Sequence, residues 1–234
     1  MNSTDAFSNP LRKTDDSLAE RIRTMVRVKE LSERDRRRML MHFLALGEAD
    51  RLLRFGTVLP DELITRYVQK MDFARDTVLG VYDSQLRLVG VGHLAFAPRE
   101  ALPLVTSATI KERVAEFGVS VSESARGLGV GSKLFERAAI HCRNGDVDTL
   151  YMHCLASNQT MIHIAKKAGM QIHQTYGESD AYLKLMPANP ASVLQEAVEE
   201  QVASLDYTLK VNSRAASKLL SNLPGFKDKK SGQR

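Results

Sequence analysis

The residues best suited to chemistry form a short glycine-rich segment in the middle of the chain. Arg126 to Ser132 reads Arg-Gly-Leu-Gly-Val-Gly-Ser, follows a β-rich run and opens a helical pattern. Backbone N–H groups at such a turn converge where the helix dipole is positive, so they bind anions. Glycine permits positive φ and close approach of a ligand, and Arg126 adds a charge-assisted contact. The segment therefore predicts a phosphate or pyrophosphate site.

The glycine spacing separates this segment from other phosphate loops. A dinucleotide-binding loop has the spacing G-x-G-x-x-G and an acidic residue at the end of the next strand. Here the glycines are spaced G-x-G-x-G, and the next strand ends in Cys154 and Leu155. A Walker loop would need Gly-Lys-Ser or Gly-Lys-Thr, which is missing. A plain turn without a ligand is the weaker alternative, because three alternating glycines are a costly way to build one.

The elements that hold this segment follow from the apolar periodicity around it. A strand from Glu116 to Val121 precedes it, and a helix runs from Gly129 to Gly145. The pattern then predicts a strand, a helix and two strands: Thr149 to Leu155, Gln159 to Ala168, Gln171 to Tyr176 and Ala181 to Leu185. Upstream it predicts a strand, two helices and a hairpin: Ile22 to Val28, a helix with a capping box of Ser32 and Asp35, a helix after Pro60, and strands Thr77 to Tyr82 and Leu86 to Phe96. This order predicts an α/β fold of the α+β type, a mixed and mostly antiparallel sheet with helices on both faces.

The chain divides into four predicted parts. Residues 1–20 are a polar lead-in expected to be disordered, and 21–187 form the folded domain. Residues 188–222 form a C-terminal amphipathic helix, which packs on the domain or meets a partner, a homodimer being one outcome. Residues 223–234 form a basic tail. Ser192 and Gln195 are the expected capping box of the helix, whose apolar side carries Val198, Val202, Leu205 and Leu209.

Composition excludes several classes of function. The chain has 234 residues and a net charge of +5, but the basic residues are spread through the chain, with a basic cluster at Lys227, Lys229 and Lys230 near the C-terminus, which favours an anionic cofactor over nucleic acid. Cys142 and Cys154 lack a C-x-x-C spacing, and the histidines lack ligand spacing, so no disulfide and no metal are expected. No apolar run suits a secretion signal or a membrane span, so we expect a cytoplasmic protein without a membrane partner.

The pattern Arg-x-x-Gly-x-Gly at Arg126 to Gly131 resembles the pyrophosphate loop of the GNAT superfamily of N-acyltransferases. Ala115-Glu116-Phe117-Gly118-Val119-x-Val121 and Asn158-x-x-Met161, followed by Ala165 and Gly169-Met170, resemble the acetyltransferase module of bacterial protein-lysine acetyltransferases. Leu52 to Phe55 is similar to a short segment between the first two helices of that group. The resemblance covers roughly Ile22 to Leu185, with specific motifs only from Ala115 to Met170.

The resemblance implies a sheet that splays open to form an acyl-CoA cleft, with acetyl-CoA or another short acyl-CoA as co-substrate. The CoA pyrophosphate would lie on the glycine segment, and the pantetheine arm would pair with the main chain of the preceding strand. Asn158 would contact the same arm, serve as a helix N-cap, or do both. The implied cofactor-binding residues are Val119, Val121, Arg126, Gly127, Leu128, Gly129, Val130, Gly131, Ser132 and Asn158.

The implied reaction is acyl transfer to a primary amine, with a protein lysine as one acceptor. A lysine-like amine has a pKa near 10.4, so a base must take its proton at neutral pH. The resemblance places Glu116 beside the thioester, and β alternation puts it on one face with Gly118 and Ser120. Glu116 is therefore the expected general base, directly or through a water, unless it is only a solvated glutamate at a strand end.

Two further groups are less defined. The main-chain N–H of Val119 or Ser120 would hold the oxyanion. Many GNAT enzymes place a tyrosine seven residues after the asparagine to protonate the leaving thiolate, but Ala165 stands there. Tyr151, Ser120 and Tyr176 are the candidate substitutes.

The sequence leaves open two alternative functions and the role of two arginines. The missing tyrosine fits a catalytically silent CoA-binding sensor or assembly module. A dinucleotide-dependent oxidoreductase is disfavoured by the glycine spacing. Arg51 and Arg54 either shape the acceptor site or form ordinary surface ion pairs with Glu48 and Asp50.

Overall fold

A computed structural model describes residues 26–96 and 112–221. The strands are β1 (Lys29–Glu30), β2 (Thr77–Tyr82), β3 (Leu88–Phe96), β4 (Val114–Val121), β5 (Thr149–Leu155), β6 (Gln171–Thr175) and β7 (Glu178–Lys184). The helices are α1 (Arg36–Leu44), α2 (Glu48–Phe55), α3 (Asp61–Lys70), α4 (Val130–Asn144), α5 (Gln159–Lys167) and α6 (Pro190–Ser221). Short 3-10 turns precede α1 and α4. The strands form one sheet in the order β1-β2-β3-β4-β5-β7-β6, in which only β4 and β5 are parallel neighbours.

Helices cover both faces of the sheet. Successive side chains of β2 point to opposite faces, so Val78 joins the core that includes Phe43 of α1 and Ile64 of α3. Leu79 joins the second core with Leu134 of α4. Every residue of β2 is buried, as expected for a strand that is covered on both faces. The predicted mixed sheet between two helical layers is confirmed.

Two upstream elements differ from the sequence prediction. The sequence predicts only a linking segment where the protein forms α2, an eight-residue helix in which no residue is fully buried. Its Phe55 packs on Phe43 and Tyr67, which are contacts between separate elements that the local pattern does not show. The first strand differs from the predicted Ile22–Val28: residues 26–28 are not in a strand, and β1 is Lys29–Glu30, where Lys29 pairs with Gly80. The predicted residues 22–25, the lead-in 1–20 and the basic tail 223–234 lie outside the described residues.

The C-terminal helix begins with a different cap from the predicted pair of Ser192 and Gln195. The backbone N–H of Ser192 donates to Asn189 Oδ1 (2.8 Å), and the N–H of Asn189 donates back to Ser192 Oγ (3.1 Å). Asn189 is therefore the capping residue, three positions earlier than expected. Pro190 explains the shift, because its fixed φ and missing N–H suit the first position of a helix.

The helix α6 packs against the domain through charged groups. The guanidinium of Arg137 on α4 is 3% exposed and lies 2.7 Å from Glu196 Oε1 and 3.4 Å from Glu200 Oε2. Burial alone would raise the pKa of Glu196, but hydrogen bonds from His141, Asn144 and Arg137 lower it to about 2. Glu196 is therefore an ionised anchor that compensates a buried guanidinium. None of the described helices is long and apolar enough to cross a membrane.

We expect Glu196→Gln to lower the free energy of unfolding by about 2 kcal/mol, because it leaves Arg137 buried with weaker compensation. Urea denaturation at pH 7 measures the change. Glu199→Gln is the matched control, since Glu199 is 43% exposed and lies 4.0 Å from the same guanidinium, and it should cost less than about 0.5 kcal/mol. Equal losses in the two variants would contradict the anchoring role.

Candidate active site

The two central parallel strands separate partway along their length. β4 and β5 pair at three positions only, from Val114 with Thr149 to Glu116 with Tyr151. Beyond that point β4 continues to Val121 and β5 to Leu155 without pairing to each other. β5 keeps its partner β7 on the opposite edge along its whole length. The sheet therefore opens into a gap whose apex is marked by Glu116 and Tyr151.

The edge of β4 that faces this gap carries free main-chain groups. The N–H of Ser122 donates to Val89 O of β3 at 2.8 Å, and the direction of main-chain hydrogen bonding alternates along a strand. The N–H and C=O groups of Val119 and Val121 therefore point away from β3, into the gap. The N–H and C=O groups of Ser120 point toward β3, where its register partner is Val91. Of the two expected oxyanion donors, only Val119 presents its N–H to the gap.

The glycine segment lies at the wide end of the gap. Gly127 and Gly129 have φ angles of +75° and +79°, and Gly129 is the N-cap of α4 without a side-chain cap. The first intrahelical bond runs from Lys133 N to Gly129 O, so the N–H groups of the three preceding residues have no partner within the helix. A Cβ built on Gly131 would lie 3.2 Å from Ile164 Cδ1 and 3.7 Å from Val121 Cγ2. The segment thus meets both β4 and α5.

Arg126 is directed toward α2. Its guanidinium forms an ion pair with Asp50, while the side chain stays about half exposed. The neighbouring Leu128 is exposed as well. The ion pair ties the glycine segment to a helix that the sequence did not predict.

Asn158 follows the end of β5, at the start of α5. Its Oδ1 accepts a hydrogen bond from Met161 N at 3.1 Å, which makes it the N-cap of α5. The side chain is buried. Within the described part of the chain, its amide nitrogen makes no hydrogen bond and remains available as a donor. The capping role and the proposed contact with a ligand are therefore compatible.

The apex of the gap combines an exposed carboxylate with a tyrosine. Glu116 is exposed, and its register partner Tyr151 donates its hydroxyl to Asp180 Oδ1 at 2.6 Å. Burial, together with this hydrogen bond and the charge of Asp180, raises the pKa of Tyr151 well above its usual value. Hydrogen bonds from His153 and Tyr151 lower the pKa of Asp180. Tyr151 therefore holds its proton at neutral pH.

The other candidates for the general acid lie in less suitable places. Ser120 Oγ lies 2.8 Å from His42 Nε2, and His42 Nδ1 lies 3.1 Å from Leu88 O. A carbonyl oxygen only accepts, so Nδ1 carries the proton and Nε2 accepts from the buried serine hydroxyl. Tyr176 is fully exposed in the turn between β6 and β7. Ala165 is buried and has no hydroxyl. Of the three candidate hydroxyls, Tyr151 is therefore the one that lies at the apex.

A row of hydrogen-bonded polar side chains, which the sequence did not predict, lies on the face of β4 that carries Glu116 and Gly118. Arg54 Nη2 donates to Tyr67 Oη (2.9 Å), Tyr67 lies 2.9 Å from His93 Nδ1, and His93 Nε2 lies 3.0 Å from Asp76 Oδ2. Because a carboxylate only accepts, the protons run in one direction from arginine to aspartate. Burial lowers the pKa of His93, against the opposing hydrogen bond to Asp76. No local motif predicts this row, because its residues come from separate elements.

The position of Arg54 decides between the two interpretations left open for the arginines. Its guanidinium lies against Gly118, where a built Cβ would be 2.8 Å from three guanidinium atoms. It therefore lines the face of the gap and does not pair with Glu48 or Asp50. Arg51 instead donates to the carbonyls of Leu44, Leu46 and Leu59 and forms an ion pair with the exposed Asp61 at 2.7 Å, a structural role. In residues 26–96 and 112–221, no group of three His, Cys, Asp or Glu side chains is arranged to hold a metal.

Comparisons with known proteins were made for the sequence and for the fold. The family model described as "Acetyltransferase (GNAT) family" matches residues 54–170. The fold is similar to the GNAT domain of S. lividans PAT, with a TM-score of 0.56 and 19% identity over 68% of this chain and 90% of that chain. A search of curated protein sequences gave no match.

Two further similar structures contain a bound cofactor. Spermidine N-acetyltransferase from Vibrio cholerae, in complex with CoA and spermine, has a TM-score of 0.52 and 18% identity over 69% of this chain and 96% of that chain. Arabidopsis thaliana NAA60, in complex with acetyl-CoA, has a TM-score of 0.51 and 13% identity over 68% of this chain and 98% of that chain. At these identities the structural likeness establishes the fold.

The buried His42 beneath β4 makes stability depend on pH. Burial lowers its pKa from 6.5 to about 4, so the unfolded chain binds more protons between these values and the folded state loses stability as the pH falls through them. Between pH 7 and pH 5 we expect wild type to lose about 2 kcal/mol more than His42→Gln. Urea denaturation at both values measures this, with the exposed His163→Gln as control. Parallel pH dependence in wild type and His42→Gln would contradict a neutral buried histidine.

Proposed function

The chain belongs to the GNAT acetyltransferase family, and from this membership we propose that it transfers an acetyl or other short acyl group from coenzyme A to a primary amine. The family match and the fold confirm the resemblance drawn from the sequence motifs. Two of the similar structures contain CoA or acetyl-CoA, which supports acetyl-CoA as the co-substrate here. The observation that carries the proposal is the gap between β4 and β5.

The gap matches an extended ligand with a charged end. Main-chain groups of Val119 and Val121 offer a strand edge to the amides of a pantetheine arm, which relieves their unpaired state. The positive end of α4, from Gly127 to Ser132, offers unpaired N–H groups to a pyrophosphate. Asn158 offers its free amide nitrogen between these two sites. The edge of β4 with Val119 and Val121 faces the gap, and Gly131 approaches both Val121 and Ile164 of α5, an arrangement that supports the proposed role of the glycine segment.

The chemistry is divided between Glu116 at the apex and the edge of β4. Glu116 takes a proton from the attacking amine, directly or through a water, as the nitrogen bonds to the thioester carbon. The N–H of Val119 stabilises the oxyanion that forms. When the carbon–sulfur bond breaks, Tyr151 is the candidate hydroxyl at the apex, but its raised pKa and its hydrogen bond to Asp180 make it a weak acid, so the thiolate takes its proton from water. A thiol with a pKa of about 8.5 leaves with little help, so this last role is the least demanding.

The acceptor carries a positive charge before reaction. Glu116, Asp76 and Asp180 lie on one face of the sheet, against the single guanidinium of Arg54, and this balance attracts an ammonium group. A protein lysine fits this chemistry, in line with the similarity to the GNAT domain of S. lividans PAT. A polyamine fits it too, in line with the spermine complex. An assay with peptides, polyamines and cell lysate distinguishes the two.

One observation favours a second candidate function. Ala165 is buried and leaves no hydroxyl at the position where many family members carry a tyrosine. A CoA-binding sensor or assembly module would keep the gap and lack turnover. Binding of acetyl-CoA without release of CoA for any acceptor would favour this module.

We expect Gly127→Ala to weaken binding of acetyl-CoA about tenfold, because a Cβ would stand between the pyrophosphate and the amides. Isothermal titration calorimetry measures the affinity. Gly169→Ala is the matched control: Gly169 has a φ of +73°, against +75° for Gly127, and both have open space around the built Cβ. Both variants should lose about 1 kcal/mol of stability through backbone strain, yet only Gly127→Ala should lose affinity. Absence of any binding heat in wild type would refute the proposed cofactor.

We expect Glu116→Gln to lower kcat about 100-fold or more with little change in KM for acetyl-CoA, because the amide cannot accept the amine proton. Release of CoA with an amine panel measures the rate. Glu136→Gln, an exposed residue of α4 paired with Lys133, should keep the wild-type rate. An unchanged kcat for Glu116→Gln would remove Glu116 from the reaction.

A further inference from the structure

The long helix α6 turns an apolar side to solvent and a mostly polar side to the domain. Five apolar side chains, here called the outer stripe, face solvent: Leu194 (65% exposed), Val198 (51%), Val202 (36%), Leu205 (64%) and Leu209 (68%). At 100° per residue they occupy one side of the helix. A soluble helix normally turns such a stripe toward its own core. The helix pattern predicted from the sequence is therefore present, but its apolar side points outward.

The opposite side of α6 makes the contacts with the domain. Glu196 and Glu200 compensate Arg137, and Ala203 is buried. Tyr207 packs on Tyr82 with ring centroids 5.0 Å apart, and Lys210 Nζ donates to Tyr82 O at 3.0 Å. These anchors fix the rotation of the helix, so it cannot turn the outer stripe inward without losing them.

The spacing of the outer stripe matches a helical partner. Val198, Val202, Leu205 and Leu209 follow one another at intervals of four, three and four, the seam spacing of two packed helices. The same intervals result when the seam is read backward. Two antiparallel copies therefore place Val198 against Leu209 and Val202 against Leu205, so a smaller side chain meets a larger one in every layer. The stripe is complementary to itself.

The charges of α6 agree with an antiparallel arrangement. Its first half carries Glu196, Glu199 and Glu200 and no lysine or arginine. Its second half, through residue 218, carries three basic residues, Lys210, Arg214 and Lys218, and one acidic residue, Asp206. In an antiparallel pair each acidic half lies along the basic half of the other copy, which is favourable at long range.

We propose that the outer stripe is the surface through which two copies of this chain associate, with their α6 helices antiparallel about a twofold axis between Val202 and Leu205. An isologous contact of this kind is the commonest form of homodimer. The four layers alone are smaller than the roughly 1,200 Å² that a tight dimer buries, so a micromolar dissociation constant is expected. Acetyl transfer plays no part in this association.

A lipid surface is the other occupant that an apolar helix face can have, and the flanks of the stripe disfavour it. Helices that lie on membranes carry lysine and arginine beside their apolar face. Here one flank holds Ala197, Gln201, Ser204 and Thr208, which are uncharged, and the other holds the acidic Glu199 and Asp206. Along residues 194–209 of α6, which carry the stripe, there is no lysine or arginine to contact an anionic bilayer.

Sedimentation velocity of the full chain between about 1 and 200 µM tests the proposal. Wild type should shift from monomer to dimer over this range, and the double variant Val202→Glu/Leu205→Glu should stay monomeric, because it places like charges opposite each other at the axis. Met186→Glu, at a residue 71% exposed ahead of α6, is the control and should dimerise like wild type. Circular dichroism verifies that all three remain folded.

A second measurement does not depend on the charged variant folding. Val202→Cys/Leu205→Cys should give a covalent dimer under mild oxidation, whereas Met186→Cys should not. A wild type that is monomeric at all concentrations would overturn the proposal, as would a dimer that the glutamates leave intact. Loss of binding to phosphatidylserine vesicles in the glutamate variant, with no dimer in wild type, would assign the stripe to a membrane instead.

Discussion

The early end of the pairing between β4 and β5 is the constraint on which the rest of the molecule depends. A parallel pair inside a sheet normally satisfies its main-chain groups along its whole length, yet here it stops at Glu116 and Tyr151. The unpaired edge of β4 would be costly if it were sealed from all partners. It is tolerated because the gap opens toward the glycine segment, and under the proposed function the amides of the ligand complete the pairing.

The elements around the gap are arranged to keep it open. α4 begins at its wide end with the N–H groups of its first turn unpaired within the helix, and α5 approaches so closely that a Cβ on Gly131 would crowd Ile164. On the face of β4 that carries Glu116, the row from Arg54 through Tyr67 and His93 to Asp76 has a fixed hydrogen-bond order. Under the proposed function, the cofactor binds along the edge of β4 that faces the gap, and the amine approaches from the face that carries Glu116.

The C-terminal helix adds a second level of organisation that is independent of the gap. It is attached largely through charged and polar contacts, with Arg137 nearly inaccessible at their centre, while its outer stripe faces solvent. Polar attachment of this kind fixes the orientation of the helix. If the outer stripe faced the domain, its residues would be buried, although their spacing is the same read in either direction along the helix.

The sequence by itself determined the order of most elements, the phosphate segment and the residues beside it. Local patterns encode these features: glycines that permit positive φ at Gly127 and Gly129, the strand Thr149–Leu155, which matches its predicted bounds, and the asparagine cap at Asn158. Only the tertiary structure decided which way α6 faces, that α2 exists, that Asn189 and not Ser192 caps α6, and that Arg54, Tyr67, His93 and Asp76 meet. These features depend on contacts between residues far apart in the chain, and a periodic pattern reports a helix face without reporting what lies opposite it.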